Sequence, residues 1–283
     1  MRYILSDIRL PLDYNDFSLL HAAAKKLRVK PSLLSNLRIE RRSVDAREKY
    51  DVCYRASVSF DMGENVKTNC PTLRKYSQPP YVFVSKRKLS YQPVVIGSGP
   101  AGLFAALTLA KCGSEPILLE RGKSIPDRVR DVDLLWGGGK LNTESNVQFG
   151  EGGAGTFSDG KLNTGTKDIR QRYILETFVR HGAPEDILID AKPHIGTDKL
   201  RHIVVSLRDE IISMGGEVIF SSRFDRFTAK DGRISSIVYS RDGSEKEIPT
   251  KYVVLAIGHS ARDTFEYLNS SGIAMERKNF AVG

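Results

Sequence analysis

Residues 93–113 read PVVIGSGPAGLFAALTLAKCG, and the order of residue types in this stretch decides the fold. Val94, Val95 and Ile96 form a short apolar run of the kind that fills a strand buried on both faces. Gly97-Ser98-Gly99-Pro100-Ala101-Gly102 comes next as GxGxxG, and an apolar helix then runs to a stop at Gly113. The second strand, in SEPILLERG, ends on Glu120, 23 residues past Gly97. Glycine spacing alone is a weak signal. With a strand before, a helix after and an acid closing the second strand, it becomes a dinucleotide-binding βαβ fingerprint. Gly97 permits the tight turn, Gly99 lets the backbone approach a pyrophosphate, and Gly102 lets helix and strand pack closely. The phosphates would rest on the helix N-terminus, where free N–H groups and the dipole favour anions. Glu120 would accept from a ribose hydroxyl, and Arg121 beside it joins the expected binding set.

An acid at position 120 suits NAD or FAD alike, because both carry an adenosine ribose without a 2′-phosphate. The residues after Arg121 separate the two. A nicotinamide-binding domain would continue with further βα units, whereas residues 122–166 are polar and glycine-rich. Within them, Phe149–Leu162 reads FGEGGAGTFSDGKL, whose second half nearly matches a Walker A loop. That reading fails because Leu162 cannot ligate magnesium, the residues before the loop make a poor strand, and LNTGTKD after it starts no helix. Gly150, Gly152, Gly153 and Gly155 are instead expected to let bare backbone, with its N–H groups, lie against a cofactor. Ala154, Thr156, Ser158, Asp159, Gly160 and Lys161 complete that expected loop. The chain returns to a buried strand in YVVLAIG, residues 252–258, where Ala256 and Gly258 would approach the ligand. It is similar to the hhhhATG strand of FAD-dependent oxidoreductases related to glutathione reductase, with Ile257 in place of Thr.

Several segments together resemble a family. GSGPAGLFAALTLA, LLERG, LNTESNVQFGEGGAGTFSDGKLNT, AKPHIGTDKL and VLAIGHSARDT are similar to bacterial FAD-dependent dehydrogenases described as NAD(FAD)-utilising dehydrogenases, in their N-terminal part. RRSVDAREKYDVCY resembles the small α+β domain that precedes the flavin domain there. The resemblance runs from about residue 30 to the end and is most specific over 142–162. It implies bound FAD, with NAD(P)H as diffusible electron donor and a small molecule or a protein as acceptor. It also implies that Phe224 makes a backbone contact to adenine. FAD domains of this type end in a further strand and a Gly-Asp segment; nothing after Gly258 supplies it, so the expectation is an N-terminal part of a longer protein.

The expected fold is therefore α/β: a Rossmann-like FAD/NAD(P)-binding domain of the glutathione-reductase type, preceded by a small α+β domain and interrupted by a mixed helix/strand substrate region. Residues 1–90 form the basic α+β domain with a linker over 69–80. The flavin domain takes 91–166 and 250–283, and 167–249 holds helices plus a β-meander. In that insert VIFSSRFDRF and RISSIVYS read as strands, and the Asp-Gly pairs at 231–232 and 242–243 are hairpin signals. Asp16 and Thr197 are the expected N-caps of helices at 17–27 and 198–214.

Charge is uneven: residues 1–90 hold 18 Lys+Arg and 9 Asp+Glu, which accounts for the whole net charge of +9. A solvated basic face is favoured over a nucleic-acid arm, since no nucleic-acid motif accompanies it. Cys53, Cys70 and Cys112 show no metal-ligand or CxxC spacing, which argues for a reducing cytoplasmic setting, no metal and no disulfide-reductase chemistry. No signal peptide or membrane segment is read. For proton transfer His259, after the 252–258 strand, and Lys161 are the candidates. His194 at a helix entrance and the single Trp136 read as packing residues. The function expected is an FAD-dependent oxidoreductase passing hydride through the flavin. The alternative is a non-catalytic flavin-binding or redox-sensing module with a basic interaction domain.

Overall fold

The computed structural model describes residues 1–77, 81–82, 89–158, 160–162, 164, 166 and 168–279. In chain order the elements are β1 (Arg2–Leu10), α1 (Asp16–Leu27), β2 (Ser35–Asp45), β3 (Cys53–Asp61), β4 (Leu73–Lys75), β5 (Val94–Ile96), α2 (Pro100–Lys111), β6 (Ile117–Leu119) and α3 (Ile125–Trp136). They continue with α4 (Arg170–Arg180), α5 (Thr197–Ser213), β7 (Glu217–Ile219), β8 (Arg223–Lys230), β9 (Arg233–Arg241), β10 (Ser244–Pro249), β11 (Val253–Leu255) and α6 (Arg262–Ser270). Two units result, Met1–Val82 with Lys161–Ile195, and Phe83–Gly160 with Gly196–Gly283. The division runs through the expected 167–249 insert and assigns its two ends to different units.

In the first unit four strands pair antiparallel in the order β2-β3-β1-β4, and α1 packs Leu19, Ala23, Ala24 and Leu27 onto the sheet. The alternation of β1 looks weak in sequence because a bulge at Asp7, with φ 59°, inserts a residue between Leu5 and Ile8. The extra residue lets Leu5, Ile8 and Leu10 all face the core. The cap of α1 is Asn15 rather than Asp16. Asn15 and Ser18 form a reciprocal capping box, and Asp16 sits in the first turn, where the helix dipole favours an anion. The expected linker contains β4, which pairs with Tyr3–Leu5; its prolines 79 and 80 lie outside the described residues. Segment 161–195 is clipped to β2, where the Arg42 N–H donates to the Ile189 carbonyl at 2.7 Å and its guanidinium reaches Asp190 and Asp186 at 2.7 and 2.9 Å. Arg2, Arg9, Lys26, Arg47 and Arg55 each pair with an aspartate, so much of the unit's basic charge is locally balanced.

The second unit is a Rossmann-type α/β fold. Its parallel sheet has the order β11-β5-β6-β7, with Val94 opposite both Val253 and Ile117, and Ile117 opposite Glu217. β5 connects to β6 through α2 and β6 to β7 through a helical stretch ending in α5, whereas β7 connects to β11 through the β8–β10 strands. One face of the sheet is covered by α2 and α5, which bury Leu103, Ala106, Leu107 and Ala110 against Ile203, Val204, Leu207 and Ile211. On the other face the antiparallel meander β8-β9-β10 buries Phe224, Ile237 and Tyr239 against Val94, Ile96, Ile117 and Leu119. The expected single strand VIFSSRFDRF is two strands in two sheets. Ser221, at φ 52°, turns the chain out of β7 and into β8. Asp231-Gly232 and Asp242-Gly243 have positive φ at both positions, as two-residue hairpins need. The second hairpin creates β10, whose polar sequence gave little sign of a strand. Gly196, not Thr197, precedes α5, which Thr197 opens as its first residue. Among the described residues no helix is long and apolar enough to cross a membrane.

Candidate cofactor site

At the C-terminal ends of β5, β6 and β11 lies a cleft of about 460 Å³, the place where doubly wound sheets bind ligands. Its floor is the turn after β5. Gly97 has φ 100°, and a Cβ there would stand 2.4 Å from the Ala256 carbonyl oxygen. A Cβ on Gly102 would stand 1.7 Å from the Gly97 carbonyl oxygen. Backbone therefore packs on backbone at both positions, and only glycine fits. Helix α2 begins with Gly99 as N-cap, makes no side-chain capping bond, and has Pro100 at its first position. Its first N–H groups have no intrahelical partner and open onto the cleft, which suits the diphosphate of a dinucleotide.

The structure brings many of the sequence-selected residues together here. Gly97, Gly99, Pro100 and Ala101 line the cleft with Glu120 and Arg121, as do Gly150, Gly153 and Ala154 from the glycine-rich loop. Phe224, Ala256, Gly258 and His259 line it from β8 and the end of β11. The aromatic side chain of Phe224 is buried beside Tyr267, with ring centroids 6.0 Å apart. Arg121 stacks over Phe149 at 4.5 Å and pairs with Asp263 at 2.5 Å. Burial pushes the Asp263 carboxyl up, but the Arg121 hydrogen bond and charge outweigh it and hold that carboxyl below its ordinary range.

Others have different places. Ser98 is wholly buried beneath the turn, and Gly102 lies behind it. Gly152 and Thr156 are buried against each other, with the Thr156 hydroxyl donating to the Glu151 carbonyl at 3.1 Å. Ser158 is exposed and bonds back to the Gly155 carbonyl, while Gly160 packs on Gly196. Asp159 lies outside the described residues. Lys161 and His194 belong to the first unit and form an isolated antiparallel bridge with each other. Trp136 is 64% exposed, its ring edge-on to Phe157.

Two expectations change in detail. The Glu120 carboxylate accepts from Ser98 N–H and Oγ at 2.7 Å each, from Gly122 N–H at 2.9 Å and from Gly150 N–H at 3.0 Å. A carboxylate has about four lone-pair sites, so these are filled by the protein, and a ribose hydroxyl would have to displace or share one. The loop glycines are likewise explained by the loop itself. A Cβ on Gly150 would meet Arg128 Cδ at 2.3 Å, one on Gly152 would meet Thr156 Oγ1 at 2.2 Å, and one on Gly153 would meet Gly99 Cα at 3.0 Å. Nor are their N–H groups free for a cofactor: Gly150 donates to Glu120, Gly152 to the Ser98 carbonyl and Gly153 to the Gly150 carbonyl.

The residues that sequence reasoning missed are charged and buried. Arg128, on α3, is 0% exposed and donates to the carbonyls of Asn146, Val147, Glu151 and Gly153 at 2.9, 3.0, 2.6 and 2.9 Å. Burial lowers its pKa to about 10, against the pull of Glu120 and Glu151. Glu151, also 0% exposed, accepts from Ile125 N–H at 2.7 Å and from Arg208 at 3.1 Å, and burial raises its carboxyl above the ordinary range. The available signal was position: Ile125, Arg128 and Val132 make one helical stripe, with the arginine in the apolar face. On the cleft rim, Ser260 Oγ donates to Gln148 Oε1 at 2.9 Å and lies 3.3 Å from His259 Nε2.

The turn, the bare helix end and the cleft fit an FAD diphosphate and adenosine. A model of the FAD binding domain matches residues 92–127, the strand, turn, helix and acid described above. Over those residues the chain is similar to FAD binding domains. A second model, a domain of unknown function (DUF8436), matches residues 2–61 of the first unit. An uncharacterized protein of Clostridium beijerinckii is 42% identical over 290 residues, covering 99% of this chain and 53% of its own length. The chain thus spans about half the length of that relative. Among solved structures, Thermovibrio ammonificans THI4 is 18% identical over 65% of this chain and 64% of its own, with a TM-score of 0.44. The glycerol-3-phosphate dehydrogenase of Bacillus halodurans, complexed with FAD, is 15% identical over 65% and 37%, with a TM-score of 0.42.

Proposed function

We propose that this protein is an FAD-dependent oxidoreductase that takes hydride from NAD(P)H and passes it to a small-molecule or protein acceptor. The observation that carries the reading is the cleft at the strand ends, floored by the Gly97–Gly102 turn and the uncapped start of α2, inside the residues matched by the FAD binding domain. Bound FAD supplies two-electron chemistry that no side chain here can supply. The chain's own residues bind and orient. Backbone N–H groups of the α2 start would hold the diphosphate, Arg121, Ser222 and the β8 residue Phe224 would flank the adenosine, and Phe149 would cover part of the wall. His259 is the proposed proton-transfer group: because Ser260 donates to Gln148, its oxygen is left to accept from an Nε2–H of His259. A cytoplasmic setting agrees with three cysteines that form no disulfide. The paired basic residues of the first unit support a solvated face there rather than a nucleic-acid arm.

The test is spectroscopic. The purified chain, loaded with FAD, should show a bound-flavin absorption band that NADH or NADPH bleaches under anaerobic conditions. A chain that cannot be loaded with FAD removes the reading altogether. Bound flavin that neither nicotinamide reduces, although dithionite does, replaces it with a flavin-binding module that is not NAD(P)-linked.

A further inference from the structure

The buried charges of the second unit divide the backbone of one loop between them. Glu120 takes donors: the N–H groups of Ser98, Gly122 and Gly150. Arg128 takes acceptors: the carbonyls of Asn146, Val147, Glu151 and Gly153. Segment 146–153 is thereby held by Glu120 at one N–H, that of Gly150, and by Arg128 at four carbonyls. The same segment supplies Gln148, Phe149, Gly150 and Gly153 to the cleft wall. Arg128 itself does not line the cleft, and none of its hydrogen bonds goes to a carboxylate. It makes four bonds to main chain from one side chain, which only a planar guanidinium fork can do at once.

The consequence concerns the polarity of the cleft. A loop of eight residues rich in glycine has many carbonyl oxygens, and any that faced a diphosphate would repel it. Four are committed to Arg128, whose charge also offsets the Glu120 carboxylate on the cleft lining. Gly150 has φ 124°, and its missing Cβ is the space through which the Arg128 side chain passes, so loop and arginine are shaped for each other. Phe157 caps the arrangement, with the Arg128 guanidinium 4.8 Å from its ring centroid.

We propose that Arg128 is a positioning residue for the dinucleotide: it fixes the course of segment 146–153 along the cleft wall and so sets the affinity for the anionic cofactor and the environment of the bound flavin. The inference rests on the FAD reading above. It is tested on the full chain with Arg128→Lys and Arg128→Met, by titration with FAD and by visible circular dichroism of the bound flavin, alongside far-ultraviolet dichroism for the fold. Lysine keeps the charge but lacks the fork, so FAD should bind roughly tenfold more weakly; methionine loses both, and binding should weaken roughly 100-fold. Both variants should alter the flavin dichroism. Wild-type affinity and dichroism in the variants, with FAD bound normally by the unchanged chain, would overturn the inference and leave the FAD reading standing. Failure of the unchanged chain to bind FAD overturns both. If Arg128→Met does not fold, Arg128→Lys decides; if neither folds, the role of Arg128 is structural only and the inference is lost.

Discussion

The second unit contains two glycine-rich turns that look alike in sequence and are built for different reasons. In Gly97–Gly102 the glycines let backbone pack on backbone and leave a helix end bare toward the cleft. At 150, 152 and 153 they make room for the protein's own side chains, chiefly Arg128 and Thr156, and for Gly99. The first turn offers N–H groups to a ligand; the second spends nearly all of its polar backbone on Glu120, Arg128 and neighbouring carbonyls. Glycine content alone therefore does not identify a ligand-facing loop. Positive φ and what the absent Cβ would touch do.

The contrast predicts graded costs of adding one methyl group. Gly102→Ala should be the most damaging, because a Cβ 1.7 Å from the Gly97 oxygen can be relieved only by moving strand against helix. A loss of about 4 kcal/mol, or no folded protein, is expected in urea denaturation. A wild-type midpoint would break the account of the first turn. Gly150→Ala comes next, at roughly 2–3 kcal/mol, from a strained φ of 124° together with displacement of the Arg128 stem. It should also weaken FAD binding as Arg128 variants do, since both loosen the same wall.

Legibility in the sequence divides along the same line. The βαβ order, the Gly97 turn and Glu120 could be read because each position meets a local and general requirement of a dinucleotide fold. Both Asp-Gly hairpins were legible for a similar reason. The Ser221 turn was not, because a serine in the left-handed region arises where two sheets meet, and no local residue preference announces it. Arg128 and Glu151 were hidden because their partners are main-chain groups 18 to 26 residues away and, for Glu151, also Arg208, 57 residues away. Such pairings leave no spacing to recognise; only an arginine within an apolar helical stripe hinted at them.

The pH response tests the buried charges of the second turn. Burial raises the Glu151 carboxyl above its ordinary 4.5, against the Ile125 N–H and Arg208. The native state then holds a proton that the unfolded chain has already released. This group's contribution to stability therefore falls as pH rises from near the ordinary value through the raised one. Glu151→Gln removes that titration while keeping the acceptor for Ile125. The stability of the wild type relative to the variant should decline over this window when both are unfolded in urea at stepped pH. A constant difference would mean that Glu151 titrates alike in the folded and unfolded chains, with no upward shift.

The smallest expected effect is the most informative about the cofactor. Gly155 has ordinary φ, and a Cβ there would meet nothing within 4 Å, so Gly155→Ala should leave stability within about 0.5 kcal/mol of wild type. Nothing in the protein's own packing requires glycine at this position, in contrast to 150, 152 and 153. If alanine also leaves FAD affinity unchanged, the second turn is a scaffold whose glycines answer only to its own packing. If stability holds but FAD affinity falls, the space beside Gly155 belongs to the flavin. The loop then combines an internally packed first half with a ligand-facing second half, and position 155 marks where the one gives way to the other.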